Sequence, residues 1–197
     1  MNKKLFGLLP LLVVTAFAVM TAAAQAAPHW YKKNVMVGST PITVATKGTF
    51  TLSTTNEVVK CKVSDGEEIW NPSIAAAGQD LITSITFSGC KAKPLSSAAT
   101  CGKGPVTVIP TGLPWGSELI PGTPIRDEIR MKIDVGCSAG TVPVEWGGAL
   151  TPQVGNGMLV FGGAGGGTLT DPSSNTMTIS GPDKLVAPPG KITAKDP

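Results

Sequence analysis

One histidine, four cysteines and thirteen carboxylates are the side chains through which this chain could run acid–base, nucleophilic or metal chemistry. The histidine, His29, lies close to the start of the expected mature chain. A Ser-His-Asp or Cys-His arrangement would have to recruit this terminal residue, and terminal residues are mobile unless tied down. The expectation is an exposed or edge-packed His29. Sites built on several histidines are excluded by the count. Ser117, in the stretch LPWGSELIPGTPIRDEI at 113–129, therefore lacks the base that a serine nucleophile of the usual kind needs.

Carboxylate chemistry remains open. Glycoside hydrolysis uses two carboxyl groups at a set separation, with sugar-stacking aromatics beside them. Asp65, Glu67 and Glu68 precede Trp70, and Asp127 with Glu128 follows Trp115. A hydrolase would bring Asp127 or Glu118 within reach of another carboxylate beside Trp115 in a concave site. The competing readings are plainer. The run DGEE (65–68) reads first as a solvated turn, and it lacks the D-x-[DN]-x-[DN]-G order of a calcium loop. Arg126 and Asp127 read as a surface ion pair that anchors a packed crossover, worth about 0–1 kcal/mol. The residues that could face a ligand are Trp70, Trp115, Glu118, Arg126 and Asp127. No cofactor or metal site is expected.

Cys61, Cys90, Cys101 and Cys137 are even in number and lack both C-x-x-C spacing and histidine partners, so two disulfides are expected rather than zinc. Cys61 continues the apolar parity of Val59 and Val63, and Cys137 that of Met131, Ile133 and Val135. Cys90 and Cys101 flank the short loop KAKPLSSAAT. The pairing expected from this is Cys61–Cys137 and Cys90–Cys101.

The elements that must position these groups are strands. Thr, Val, Ile, Gly and Pro dominate the chain, and turn clusters recur at short intervals. Strands are expected at 42–46, 48–54, 57–63, 81–88, 105–109, 128–136, 142–146, 157–161, 167–170 and 176–180, with a short helix within 71–79. In 129–135 the apolar Ile129, Met131, Ile133 and Val135 alternate with Arg130, Lys132 and Asp134, the pattern of a strand with one buried face. The fold class expected is a single all-β domain, an antiparallel β-sandwich or, as the alternative, a β-barrel. The run GGAGGG (162–167) lacks the Lys-Ser/Thr ending of a phosphate-binding loop.

The opening MNKKLFGLLPLLVVTAFAVMTAAAQAAPHW places a basic pair, Lys3 and Lys4, before the apolar run 5–20 and an Ala24-Gln25-Ala26 cleavage site. This is the layout of a secretory signal peptide cleaved after Ala26. The apolar run is short for a spanning helix, which needs about 20 residues. The expected product, residues 27–197, is secreted, extracellular or cell-surface, with no stable membrane insertion. Without Lys3 and Lys4, fourteen basic residues face thirteen acidic ones. That balance gives no electrostatic case for nucleic acid or acidic membranes.

The ordered set HWYKKN, GTFTLSTTNEVVKCKV, WNP, FSGC, CGKGPVTV, LPWGSEL and IRD, followed by a strand ending in GC, resembles a family of uncharacterised secreted proteins found mainly in soil actinobacteria. The likeness is strongest over 29–137 and looser from 142 onward, where the closing strand is shortened to GKITAKDP. What the resemblance implies is secretion, an all-β fold and structural cysteines. It implies no catalytic residues. The function expected is non-catalytic binding or structure, with a cell-wall glycan or another protein as partner. The alternative is an extracellular carboxylate-dependent hydrolase acting on carbohydrate.

Overall fold

The computed structural model describes residues 26–137, 142–162 and 166–196. The expected signal peptide, apart from Ala26, and the centre of the GGAGGG run lie outside the described residues. The described chain is all antiparallel β, and no helix occurs among its elements. The strands are β1 (His29–Lys32), β2 (Val35–Met36), β3 (Ile42–Ser53), β4 (Glu57–Trp70), β5 (Gln79–Pro94), β6 (Gly104–Pro110) and β7 (Trp115–Ile120). They continue with β8 (Arg126–Cys137), β9 (Val144–Leu150), β10 (Gln153–Gly155), β11 (Met158–Phe161), β12 (Thr168–Thr170), β13 (Thr176–Ala187) and β14 (Ile192–Lys195).

Eleven strands form one curled sheet. Its order runs β10-β11-β13-β12-β9-β8-β6-β5-β4-β3, with β7 inserted between β5 and β8. A further pairing joins β3, one end of that path, to β13, two strands in from the other end. The apolar faces expected of a sandwich thus belong to a single sheet, and Phe50 of β3 meets Phe161 of β11 at 4.6 Å over Gly181 of the intervening β13. The seam depends on two glycines. A Cβ at Gly48 would stand 2.1 Å from the Pro182 carbonyl oxygen, and one at Gly181 (φ 132°) would stand 2.0 Å from that of Thr49. This close approach also explains why the two strands expected at 42–46 and 48–54 are one, since the chain passes through Gly48 without turning.

Three expectations need correction. The segment 71–79 is a turn, not a helix. The DGEE run does not turn at all, because β4 continues through it to Trp70. The crossover expected at 113–129 contains a strand, β7, which pairs with β5 and β8.

A second, three-stranded sheet of order β14-β1-β2 closes one end of the curled sheet. It places Trp30, Val37 and Ile192 against Val44, Ile69 and Leu119 of the larger sheet. Asn71, from the WNP step, ties the two sheets together. Its Oδ1 accepts the Trp30 N–H at 2.8 Å, and its Nδ2 donates to the carbonyls of Trp30 at 3.0 Å and Val37 at 2.6 Å. His29 is held in the same way. It pairs with Lys195 across β1 and β14 and is fully buried, with Nε2 3.1 Å from the Ser73 carbonyl. The expectation of an exposed or edge-packed terminal residue fails because β14 supplies the partner strand.

The disulfides are Cys61–Cys90 and Cys101–Cys137, not the expected pairs. Parity correctly turned Cys61 inward, but Cys90 and Cys101 are buried as well, so inward orientation could not select partners. Strand adjacency does. Two strands, β5 and β6, separate β4 from β8. Between β4 and β5 the register slips from Lys60↔Lys91 to Lys62↔Ser88, which leaves Cys61 facing the Gly89-Cys90 step. Gly89 (φ 59°) supplies the bulge. Cys101 lies in the β5–β6 connection, its N–H donating to Glu57 Oε2 at 2.8 Å, and reaches the end of β8. With sequence separations of 29 and 36, each bridge contributes about 3–4 kcal/mol in the chain-entropy account.

Non-reducing peptide mapping should recover Cys61–Cys90 and Cys101–Cys137 peptides; a Cys61–Cys137 peptide from native protein would refute the pairing. Replacing Asn71 by alanine leaves buried backbone groups of Trp30 and Val37 without their partner. It should lower stability by about 2–4 kcal/mol, read as a drop in the urea midpoint at constant slope.

Candidate functional site

The inward parity of the strands carries acids as well as apolar residues. Along β4 the buried side is Glu57, Val59, Cys61, Val63, Asp65, Glu67 and Ile69. Along β8 it begins with Asp127 before Ile129 and Met131, along β5 with Asp80 before Ile82, and in β13 Asp183 follows Met177 and Ile179. Each strand crosses the interior in the same order. Its apolar residues on one side join the large core of Phe50, Ile133 and Leu169, and those on the other join the cluster beneath the small sheet. Asp65, Glu67, Asp80, Asp127 and Asp183 form a belt between these two apolar layers.

Hydroxyl groups link the belt. Ser117, on the inward face of β7 between Trp115 and Leu119, stands opposite Asp80 in the β5–β7 register. Its hydroxyl bridges Asp80 Oδ1 and Asp127 Oδ1, the latter at 2.5 Å. Thr46 stands opposite Asp65 and donates to its Oδ1. One oxygen each of Glu67, Asp80, Asp127 and Asp183 has no hydrogen-bond partner in this arrangement. Glu67 and Asp183 also line a small cavity of about 40 Å³ with Trp30, Val44, Ile69 and Ile192.

Among the described residues, no Lys, Arg or His side chain forms an ion pair with these carboxyl groups. Burial raises the carboxyl of Glu67 well above the usual range, and the neighbouring charges of Asp80 and Asp65 raise it further. Burial likewise raises Asp80, aided by Asp127 and opposed by the Ser117 hydrogen bond. Asp127 is raised by burial, partly offset by its bonds to Ser117 and Asp80. Asp183 is pushed up to about 8, by burial first and by Asp65 second. Like charges in a dry interior cannot all ionise, and a protonated carboxyl becomes a donor to its neighbour. Within the belt, Glu67, Asp80, Asp127 and Asp183 are held toward their protonated forms.

Among the described residues, no group of three or more His, Cys, Asp or Glu side chains is arranged to hold a metal ion. The trio Asp65, Glu67 and Glu68 does not converge, since Glu68 lies on the opposite face of β4 from the other two.

The expected ligand-facing residues divide between two faces. Trp115 is buried, its Nε1 donating to the Thr111 carbonyl at 2.8 Å. Asp127 is fully buried and makes no ion pair with Arg126, because adjacent residues of β8 point to opposite faces. Glu118 is exposed, and Trp70 and Arg126 are half-buried. An open groove of about 870 Å³ crosses the outer face over β5, β7 and β8. Trp70, Glu118, Glu128 and Arg130 stand around it, and Asp80, Ser117 and Trp115 lie beneath its floor. Trp30 and Trp146 are buried too, so Trp70 alone among the four tryptophans offers surface to a ligand.

The chain matches no family model, no curated protein and no solved structure. The site therefore rests on its own geometry. Asp65, Glu67, Asp80 and Asp183 had not been singled out as a group, although alternation through 59–69 already carried two of them inward. The signal was parity continued across residues whose type suggested a turn.

The belt sets the direction of the pH dependence. Between the unfolded carboxyl values near 4 and the raised folded values, the native state binds more protons than the unfolded chain, so stability falls as pH rises. The melting temperature should be highest near pH 4–5 and several degrees lower by about pH 8. Asp183→Asn should flatten that slope and raise the melting temperature at pH 8. A native melting temperature that climbs from pH 5 to 8 would contradict the assignment.

Proposed function

We propose that this chain is an exported, non-catalytic binding or structural protein that works through its outer surface. The basic, apolar and A-x-A order of its first 26 residues supports export, as do two disulfides, which persist in oxidising compartments. The likeness of its motifs to secreted actinobacterial proteins points the same way. The observation that carries the non-catalytic reading is the seclusion of the reactive groups. Asp127 is 0% exposed and Asp80 2%, and the Ser117 hydroxyl is spent between them. His29 is fully buried, with its Nε2 3.1 Å from the Ser73 carbonyl. The groove around Trp70, Glu118, Glu128 and Arg130 is the ligand-facing surface, suited to a cell-wall glycan or to another protein.

One observation favours the second reading, a carboxylate-dependent hydrolase. Asp80 and Ser117 lie directly under the groove floor, beside Trp115, with Asp127 joined to them. The two readings separate on Trp70 and Asp127. For a binding protein, Trp70→Ala should weaken retention on isolated cell-wall glycan about tenfold, equivalent to about 1.4 kcal/mol, while Asp127→Asn leaves it unchanged. Release of reducing sugar that Asp127→Asn abolishes without altering the fold would establish the hydrolase instead.

A further inference from the structure

We infer that the outer face of β4 and β5, away from the groove, is a binding surface for a linear, phosphate-bearing polyanion. The surface is made of Lys60, Lys62, Lys91 and Lys93, all exposed, with exposed Lys103 just before β6. Lys60 stands directly opposite Lys91 in the β4–β5 register, and Lys93 lies two residues further along β5. The pairing of Ala92 with Gly104 brings Lys103 alongside Lys93. Thr49, Thr51 and Ser88 flank the lysines on neighbouring strands and add hydroxyl donors. The two salt bridges among the described residues, Arg130–Glu128 and Lys132–Glu145, belong to the opposite wall, on β8 and β9.

Like charges placed directly opposite on a sheet cost stability. The usual reason to accept lysines on a strand is protection of an open edge. That reason is missing here, because β4 is paired with β3 and β5, and β5 is paired with β6 at Lys91. The surface composition strengthens the case. Six of the thirteen acids, Glu57 and the five belt residues, are buried, which leaves seven at the surface against fourteen lysines and arginines outside the expected signal peptide. The near-neutral count of the sequence therefore misstates the charge a partner meets, and a chain that looked indifferent to polyanions presents a basic wall.

The chemistry narrows the partner. Lysines at i and i+2 on one strand face are about 6.6–6.8 Å apart, so successive lysines can meet every second phosphate of a linear polyphosphate chain. All five cations are lysines, point charges without the planar fork of arginine, so charge spacing is read rather than the shape of one group. No aromatic side chain stands among them, and nucleic-acid bases would find nothing to stack on. The partner is a linear polyphosphate. This surface is separate from the Trp70 groove, and the inference stands whichever reading of the groove holds.

Long-chain inorganic polyphosphate is the probe. The native chain should bind it with a log K against log salt slope of about −3, from four to five lysines at about 0.7 each. Combined Lys60→Gln, Lys62→Gln, Lys91→Gln and Lys93→Gln should weaken binding at least tenfold and reduce the slope to about −1. The control removes the same charge elsewhere, by Lys32→Gln, Lys33→Gln, Lys191→Gln and Lys195→Gln, and should change affinity less than threefold; melting curves verify both folds. Equal losses in the two variants would show that net charge alone drives binding and would overturn the inference, as would failure of the native chain to bind. Tighter binding to duplex DNA or to anionic phospholipid vesicles than to polyphosphate would overturn the choice of partner.

Discussion

Five carboxyl groups enclosed with no ion-pair partner among the described residues impose one constraint on this molecule: burial pushes Glu67, Asp80, Asp127 and Asp183 toward their protonated forms. An isolated ionised carboxylate in an apolar interior costs so much that the group gives up its charge instead. The rest of the architecture follows from keeping that belt dry and hydrogen-bonded. Ser117 and Thr46 supply hydroxyls where strand register brings them opposite Asp80 and Asp65. The β3–β13 seam, tight enough to require Gly48 and Gly181, closes the wall beside Asp183. The small sheet covers the end above the belt, and Asn71 fastens it there with three bonds to buried backbone. The apolar core and the two disulfides lie toward the other end, where Cys61, Cys90 and Cys101 pack among Val59, Ile85 and Val106. Their stabilisation offsets what the belt costs.

Alternation made much of the fold legible. The buried faces of β3, β4 and β8 follow from Phe50 and Leu52, from Val59 and Val63, and from Ile129 to Val135. The all-β class followed from the same rhythm and from the spacing of turns. Two kinds of information were not local. Disulfide partners depend on which strands are neighbours and on a one-residue slip at Gly89, neither of which parity encodes. The covering of His29 depends on a strand near the other end of the chain. The belt is a different case, because its signal was present. Asp65 and Glu67 fall on the inward parity of Val63 and Ile69, but residue type outweighed position, and three acids around Gly66 read as a turn. Residue type misled in the same way at Asp127, whereas Trp115 is packed. Both belong to the inward faces of strands, where residue types had suggested a packed crossover with Asp127 in a surface ion pair; the packing of that stretch holds, the surface ion pair does not.

Placing acids inside also changes what the outside is. A protonated carboxyl contributes no net charge to the surface field, whereas a lysine on an outer face contributes fully within a Debye length. The chain therefore separates its charge radially, with acids collected at the core belt and bases left on the walls. The two walls then differ from each other. The β7–β9 wall intersperses Glu118, Glu128 and Glu145 with Arg130 and Lys132, and its ion pairs neutralise each other locally. The β4–β5 wall has no such partner beside Lys60 and Lys91, and repulsion between directly opposed lysines is left standing in a fully paired region of the sheet. Rotamer freedom relieves part of that repulsion in water. A polymer that brought one negative charge to each cation would relieve the rest, and the stability withheld by the unbound sheet would be recovered as binding free energy. The asymmetry between walls is thus a property of the whole fold: it exists because β4 carries its acids on the inward parity and its lysines on the outward one.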